Sequence, residues 1–192
     1  MNAQGFTLFE TAIGVAGVVW SGRGVVGVEL PQARERQTRA RLTRRFPDAV
    51  EAPPPPDVRT AIDGMTTLLA GEATDLSGVV LDLQDAPDFE RRVYGIARAI
   101  PPGETLTYGE IAIRLGEPGA AREVGRALGA NPAPIIVPCH RVLGSGGKVG
   151  GFSAPGGVAT KARMLSIEGA RTSPAPMLFE NLPISVRDAD RS

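Results

Sequence analysis

Residues 107–142 read TYGEIAIRLGEPGAAREVGRALGANPAPIIVPCHRV, and this stretch decides both the architecture of the second half of the chain and where to look for chemistry. Thr107 can cap a short helix holding Ile111 and Leu115, Gly116-Glu117-Pro118-Gly119 makes a turn, and a second helix runs from Ala120 to about Leu128. Two short helices around a glycine-containing turn have the outline of a helix-turn-helix, which a helical hairpin packed on a core shares. On the second helix Ala120, Val124, Ala127 and Leu128 form a stripe for burial and leave Arg122 and Arg126 outside it, one turn apart. Like charges at that spacing repel by a few tenths of a kcal/mol. Phosphates on the facing surface would relieve the repulsion, and so would Glu123 on an ordinary solvated face. Ala121, Gly125 and Gly129 are small enough to let the helix approach a partner closely.

Beyond this helix Asn131-Pro132-Ala133-Pro134-Ile135-Ile136-Val137-Pro138-Cys139-His140-Arg141-Val142 is an apolar, strand-like run between prolines that delivers the single cysteine beside the single histidine. A free thiol with a pKa of about 8.5 is mostly protonated at pH 7, so a cysteine nucleophile needs a base or positive surroundings. His140 is the available base. Neighbours along an extended segment point to opposite faces, so a bridging water is the expected relay rather than a direct bond. The bland alternatives are a buried inert thiol and a core imidazole tied to the backbone. A basic imidazole also needs a third group to orient it, and Glu168, after the apolar helical run Val158 to Ile167, is the candidate. An acid at the end of a helix also serves as a plain cap.

Working outward, charge divides the chain. Residues 1–88 set eight Arg against twelve acids, whereas residues 89–170 set ten Lys or Arg against six acids, so a polyanionic partner belongs to the second half. The overall formal charge of zero argues against the strongly basic surface of a non-specific nucleic-acid coat protein. One Cys and one His are too few for a structural zinc site, and neither a metal nor any other cofactor is expected. A lone thiol survives best in a reducing compartment, and the sequence shows neither a secretory signal pattern nor an apolar run of the roughly 20 residues that span a bilayer, so the cytoplasm is the expected location.

In the first half, Phe6 to Ile13, Val15 to Trp20 and Val25 to Leu30 are β-branched and aromatic runs separated by Gly14 and by Ser21-Gly22-Arg23-Gly24, which predicts a small antiparallel meander. Gln32 to Phe46 suits a surface helix ended by Pro47, and Pro53 to Pro56 a stiff connector. Asp57 can cap a helix through about Ala70, and Val79 to Leu83 reads as a further strand of the same sheet. The spacing of Phe89, Val93, Ile96 and Ile100 predicts a helix after Pro87. The resulting organisation is an α+β domain at 1–84, a mostly helical domain at 85–171 and a Pro-rich polar tail at 172–192.

From about Phe89 to Ala170 the chain resembles the O6-alkylguanine-DNA alkyltransferases. The resemblance is carried by Pro138-Cys139-His140-Arg141-Val142, the preceding Asn131-Pro132, Arg91-Arg92-Val93-Tyr94, Gly103-Glu104, Thr107-Tyr108-Gly109, Ala121-Arg122, Val124-Gly125 and Glu168-Gly169. It implies a ribonuclease H-like N-terminal sheet domain and a winged-helix-like helix-turn-helix after it. It implies transfer of an alkyl group from O6-alkylguanine, or O4-alkylthymine, in duplex DNA to Cys139 in a single turnover with base flipping. In that resemblance His140 acts through water as base, Glu168 orients it, Asn131 braces the active-site turn, and Tyr108 helps rotate the nucleotide and hydrogen-bonds the departing guanine. Arg122 enters the base stack, with Ala121, Arg126 and Thr107 against DNA. Val142, Phe152 and Ser153 belong to the pocket, and Arg141 is structural. Ala154-Pro155 looks like an insertion in the pocket-rim loop, and Ala130 stands where relatives often carry a basic residue.

Rival readings are a lesion-binding protein without transfer, against which Cys139 speaks, a transcriptional regulator, for which the chain has too few cysteines to build a metal domain, and a Cys-His hydrolase. A monomer is expected because no amphipathic segment is left unassigned.

Overall fold

The computed structural model describes residues 3–170, so the polar tail expected at 172–192 lies outside the described residues. The first half is built on the expected meander: β1 (Gly5–Thr11), β2 (Gly14–Ser21) and β3 (Gly24–Glu29), all antiparallel. The turns between them are tight, and Gly24 sits at φ +139°, where an added Cβ would lie 2.5 Å from the Val80 carbonyl oxygen. Only glycine fits there.

Alternation along the strands sorts the core into two faces. Val18, Trp20, Val25 and Val28 pack on one side with Val58, Ala61, Met65 and Leu68 of α2 (Pro56–Leu69), whereas Phe6, Val19 and Val26 pack on the other with Leu42 and Phe46 at α1 (Glu35–Arg45). The sheet is thus sandwiched between two helices. At Gly27 a Cβ would meet the Phe46 ring at 2.7 Å and the Pro132 carbonyl oxygen at 3.2 Å, so the absence of a side chain lets the second half approach the sheet there.

Four sequence expectations need correction in this half and its junction. Asp57 is not a cap: Pro55 holds the N-cap position with extended backbone and Pro56 opens α2, a position that tolerates proline because its missing N–H has no helical partner. Residues 79–83 do not form a strand. They make a single bridge, Val25 to Leu81, and the fourth strand is instead the short β4 (Val50–Glu51), parallel to β1 at the edge. The first helix begins at Glu35 rather than Gln32. Ahead of Cys139 the run is not extended: Ile135 takes φ +78°, the chain doubles back so that Pro134 bridges Val137, and Cys139–Arg141 form one 3-10 turn. Pro132, Pro134 and Pro138, three prolines within seven residues, remove backbone donors that a strand ladder would need.

The second half comprises α3 (Asp88–Arg98), α4 (Tyr108–Arg114), α5 (Ala121–Gly129) and α6 (Gly157–Ile167), with a two-stranded parallel ribbon, β5 (Leu106–Thr107) and β6 (Val142–Leu143). Val93, Tyr94, Ala97, Ile111, Val124 and Ala127 enclose Val137 and Cys139. Arg92 of α3 clamps the turn between α4 and α5, donating to the Leu115 carbonyl at 2.8 Å and pairing with Glu117 at 3.0 Å. The two halves also share a core, because Ala133, Ile135, Ile136 and Met164 pack among the residues of the sheet and α2. No helix among the described residues is long and apolar enough to cross a membrane.

Met65 is fully buried at the centre of that shared cluster. Met65→Ala is expected to cost about 2–5 kcal/mol of unfolding free energy, the range for emptying a packed site, read by urea denaturation. A cost below about 1 kcal/mol would show that the sheet and the second half do not share one core.

Candidate active site

Proline and asparagine set the geometry around the thiol. The Asn131 side chain donates from Nδ2 to the Val137 carbonyl at 2.8 Å and accepts at Oδ1 from the Ala133 N–H at 3.0 Å, closing the loop 131–137 on itself. The backbone N–H of Val28 and, more distantly, the Arg45 guanidinium donate to the carbonyl of Pro132, at 2.9 and 3.4 Å, so the sheet holds the next residue of the same loop. Cys139 follows with 8% of its surface exposed, at the meeting point of two clefts.

His140 is fully buried. Its Nε2 lies 2.9 Å from Oε1 of Glu168, the residue that ends α6. A carboxylate accepts only, so Nε2 carries the proton and Nδ1 keeps a lone pair; Nδ1 has no hydrogen-bond partner among the described residues. Burial pulls the His140 pKa below its ordinary value and outweighs the opposing pull of Glu168, so the imidazole is neutral at pH 7. Arg141 embraces the same carboxylate with Nε and Nη2, both at 2.8 Å, and donates Nη1 to the Ile100 carbonyl at 2.5 Å. Burial alone would raise the Glu168 pKa, but the hydrogen bonds and charges of His140 and Arg141 hold it at about 2.

The thiol itself is pushed upward by burial, against the Asn131 side chain, the Lys161 charge and the backbone N–H groups of Cys139 and His140. Lys161 was not singled out from the sequence. It is fully buried on α6, its Nζ donates to the Val142 carbonyl and sits 5.8 Å from the Tyr108 ring centroid, and its pKa is drawn down by burial against the pull of Cys139. A lone lysine within the apolar run 158–167 was the signal available for it, since a lysine on the buried face of a helix needs a partner.

The sequence-selected residues fall into three groups. Cys139, His140, Glu168, Arg141 and Asn131 converge as described. Tyr108, at the start of α4, shares with Cys139, Gly125, Gly129, Phe152 and Ser153 a small cleft of 40 Å³, and Ser153 Oγ donates to the Gly129 carbonyl at 3.1 Å. Val142 is different. It is completely buried behind the thiol and lines neither cleft beside it. The third group sits on the outer face of the helix pair, with Ala121 at the start of α5. Arg122 is exposed and makes no ion pair among the described residues, Arg126 is paired with Glu123 at 2.8 Å, and Thr107 is occupied in a capping box with Glu110. No cluster of three or more His, Cys, Asp or Glu able to hold a metal occurs among the described residues.

Residues 88–170 match the family model described as 6-O-methylguanine DNA methyltransferase, DNA binding domain. The chain is 45% identical over 128 residues to a methylated-DNA--protein-cysteine methyltransferase of Mycobacterium tuberculosis strain H37Rv, covering 67% of this chain and 75% of that protein. A protein of the same name from Methanothermobacter thermautotrophicus is 35% identical over 153 residues, covering 80% of this chain and 78% of its own length. Among solved structures, Mycobacterium tuberculosis OGT in complex with DNA superposes with a TM-score of 0.67 at 36% identity, covering 85% of this chain and 92% of that one.

The Glu168 network has a pH signature. A carboxyl held at about 2 instead of the ordinary 4.5 contributes stability above pH 4.5 that is lost as pH falls toward 2, at roughly 1.4 kcal/mol for each pH unit separating the two values. Glu168→Gln strands the buried Arg141 charge and is expected to cost about 3–5 kcal/mol at pH 7, with the acid-side loss between pH 4.5 and 2 reduced. Denaturant titrations across that range check both. Equal stability of the two proteins at pH 7 would contradict the network.

Proposed function

Since the chain belongs to the methylated-DNA--protein-cysteine methyltransferase family, it repairs alkylated DNA by direct reversal, and we propose that Cys139 takes the alkyl group with His140 as its base. The observation that carries this assignment is the buried, neutral His140, next in the chain to Cys139, with Nε2 fixed by Glu168 and the Nδ1 lone pair unclaimed. A water at Nδ1 relays the thiol proton to the imidazole, and the imidazolium so formed is stabilised by the adjacent carboxylate, in the manner of a triad. Glu168 positions His140, Arg141 in turn fixes Glu168, and Asn131 braces the loop that presents the sulfur. Lys161 supplies positive charge facing the thiolate.

The thiolate attacks the alkyl carbon in line with the O6 leaving group. The C–O bond breaks as the C–S bond forms, and the electron pair passes into the guanine, which Tyr108 stabilises by hydrogen bonding and which ends protonated at N1. The proton lost by the thiol balances the one gained by the base. The product is a thioether that nothing in the site can hydrolyse, so each molecule acts once. Transfer from O4-alkylthymine by the same displacement is part of the same proposal.

Access requires the nucleotide to leave the duplex at a cost of a few kcal/mol, least for a damaged pair. We assign α5 to the minor groove, Arg122 as the wedge that replaces the extruded base, and Ala121, Arg126 and Thr107 to the DNA-facing surface. The unpaired, exposed Arg122 supports this reading. The 1–84 and 85–171 division is kept, the first part ribonuclease H-like, which the two-faced sheet supports, and the second winged-helix-like, which the β5–β6 ribbon beside α4 and α5 supports. A monomer in the reducing cytoplasm is the setting in which a lone thiol remains usable.

Mixing the protein with a duplex containing one O6-methylguanine and recording intact mass tests the assignment. A gain of one methyl group, mapped to Cys139, stopping at one equivalent and absent from Cys139→Ser, is expected. Binding without a change of mass would replace transfer by lesion recognition, and steady turnover of an acyl substrate without DNA would point to a hydrolase. Arg122→Ala is expected to slow transfer from duplex by about ten- to thirty-fold, equivalent to roughly 1.4–2 kcal/mol of lost flipping support, and to slow it much less when the lesion sits in an unpaired strand. Equal slowing in both would remove the wedge role.

A further inference from the structure

In-line displacement constrains where a large alkyl group can go. Sulfur and departing oxygen occupy the two ends of a line through the reacting carbon, so the remainder of the substituent must leave sideways. The base-side cleft, with Tyr108 and Gly125, is the small one of 40 Å³. Cys139 also lines a cleft of 180 Å³ whose walls come from both halves of the chain, far more room than a methyl group needs. Pro134, Phe152 and Pro155 are among its walls and suit an aromatic ring. The first half of the chain contributes one end of it, which carries Glu29, Arg41 and Arg45.

The charges at that end are unequal. The side chain of Glu29 is 5% exposed; Arg41 Nε lies 2.7 Å from Oε1 and Arg45 Nη1 lies 3.9 Å from Oε2. Gln32 also donates to Oε1 at 3.3 Å. Two guanidinium groups against one carboxylate leave one positive charge in excess. Arg45 is further engaged with the Pro132 carbonyl and lies 5.0 Å from the Phe46 ring centroid. Arg41, in contrast, pairs with Glu29 alone among the described residues, and its side chain is 45% exposed. A half-exposed guanidinium with five N–H donors and one carboxylate partner keeps donors to offer a second carboxylate.

Resting on the transfer reading above, we propose that Arg41 is a specificity-determining residue, and that the seam cleft receives O6-substituents that carry a carboxylate at the far end of an aromatic or chain-like group. The reaction is unchanged: sulfur bonds to the benzylic or methylene carbon, the bond to O6 breaks, its electron pair stays with guanine, the thiol proton ends on N1, and the carboxylate remains on the new thioether without taking part. Arg41 touches only the distal end of the adduct. It therefore alters how adducts are ranked and does no chemistry.

The test compares duplexes of one sequence whose single modified guanine carries O6-(4-carboxybenzyl) or O6-(4-aminomethylbenzyl), with O6-methylguanine as reference. Single-turnover rates are read by the mass of the alkylated protein. Because phosphates are identical in all duplexes, their contacts cancel in the rate ratio. The wild-type protein is expected to favour the carboxylate over the ammonium by about tenfold or more, the size of effect given by a charge-assisted hydrogen bond. Arg41→Gln should bring the ratio near one. Where that substitution unfolds the protein by exposing Glu29, the double variant Glu29→Gln with Arg41→Gln removes both charges together and should also lose the preference. Equal rates in the wild type, or a preference that survives both variants, would overturn the role of Arg41. Failure of the wild type to take a methyl group from the reference duplex would instead overturn the transfer reading on which it rests.

Discussion

The carboxylate of Glu168, bound at once by His140 and Arg141, is the interaction on which the site depends. It fixes the histidine tautomer, because an acceptor-only partner at Nε2 leaves the lone pair on Nδ1. It also joins three parts of the fold, since Arg141 reaches on to the Ile100 carbonyl at the end of α3 while Glu168 ends α6. The same arrangement explains why burying an arginine is tolerable here: the guanidinium meets two oxygens of one carboxylate and a carbonyl, leaving little of its hydrogen-bonding capacity unmet.

A buried thiol next to a neutral imidazole is an inactive resting pair. Burial raises the one pKa and lowers the other, so proton transfer between them is unfavourable in the free protein. What favours the thiolate is local: the Asn131 side chain, two backbone N–H groups and Lys161. This balance keeps the cysteine from indiscriminate reaction and leaves alkyl transfer to depend on how the substrate is held, which suits a protein that can act only once.

The first half of the chain does more than accompany this centre. Val28 and Arg45 hold the carbonyl of Pro132, one residue from the Asn131 bonds that shape the cysteine loop, and the apolar side chains of that loop are buried in the sheet's core. Gly27 makes the approach possible by having no side chain. The loop can be irregular and rigid together because its backbone groups are satisfied by an asparagine side chain and by an edge of the sheet rather than by a regular ladder.

Residues 107–142 and Glu168 were enough, read in order, to single out the nucleophile, a candidate base, the helix pair and the family, because these depend on residue type at short spacing. The meander was legible for the same reason, since its strands alternate and its turns carry glycine. Other features depended on neighbours distant in sequence. Residues 79–83 had strand composition but make a β-bridge only to Val25, so no ladder forms, whereas the unremarkable Val50–Glu51 pairs with β1 because the chain passes its open edge. The proline run before Cys139 reads as extended and is bent, its shape imposed by Asn131 and the sheet. Lys161, and the Glu29 and Arg41 pair at the seam, face the reactive cysteine across the fold from elements that sequence alone could not bring together. The sequence by itself determined which groups react, since reactivity resides in residue types and their immediate neighbours; only the tertiary structure decided which proton His140 holds, what charge surrounds the thiol and where a large adduct can lie, because electrostatics and cavity shape are set by distances through space.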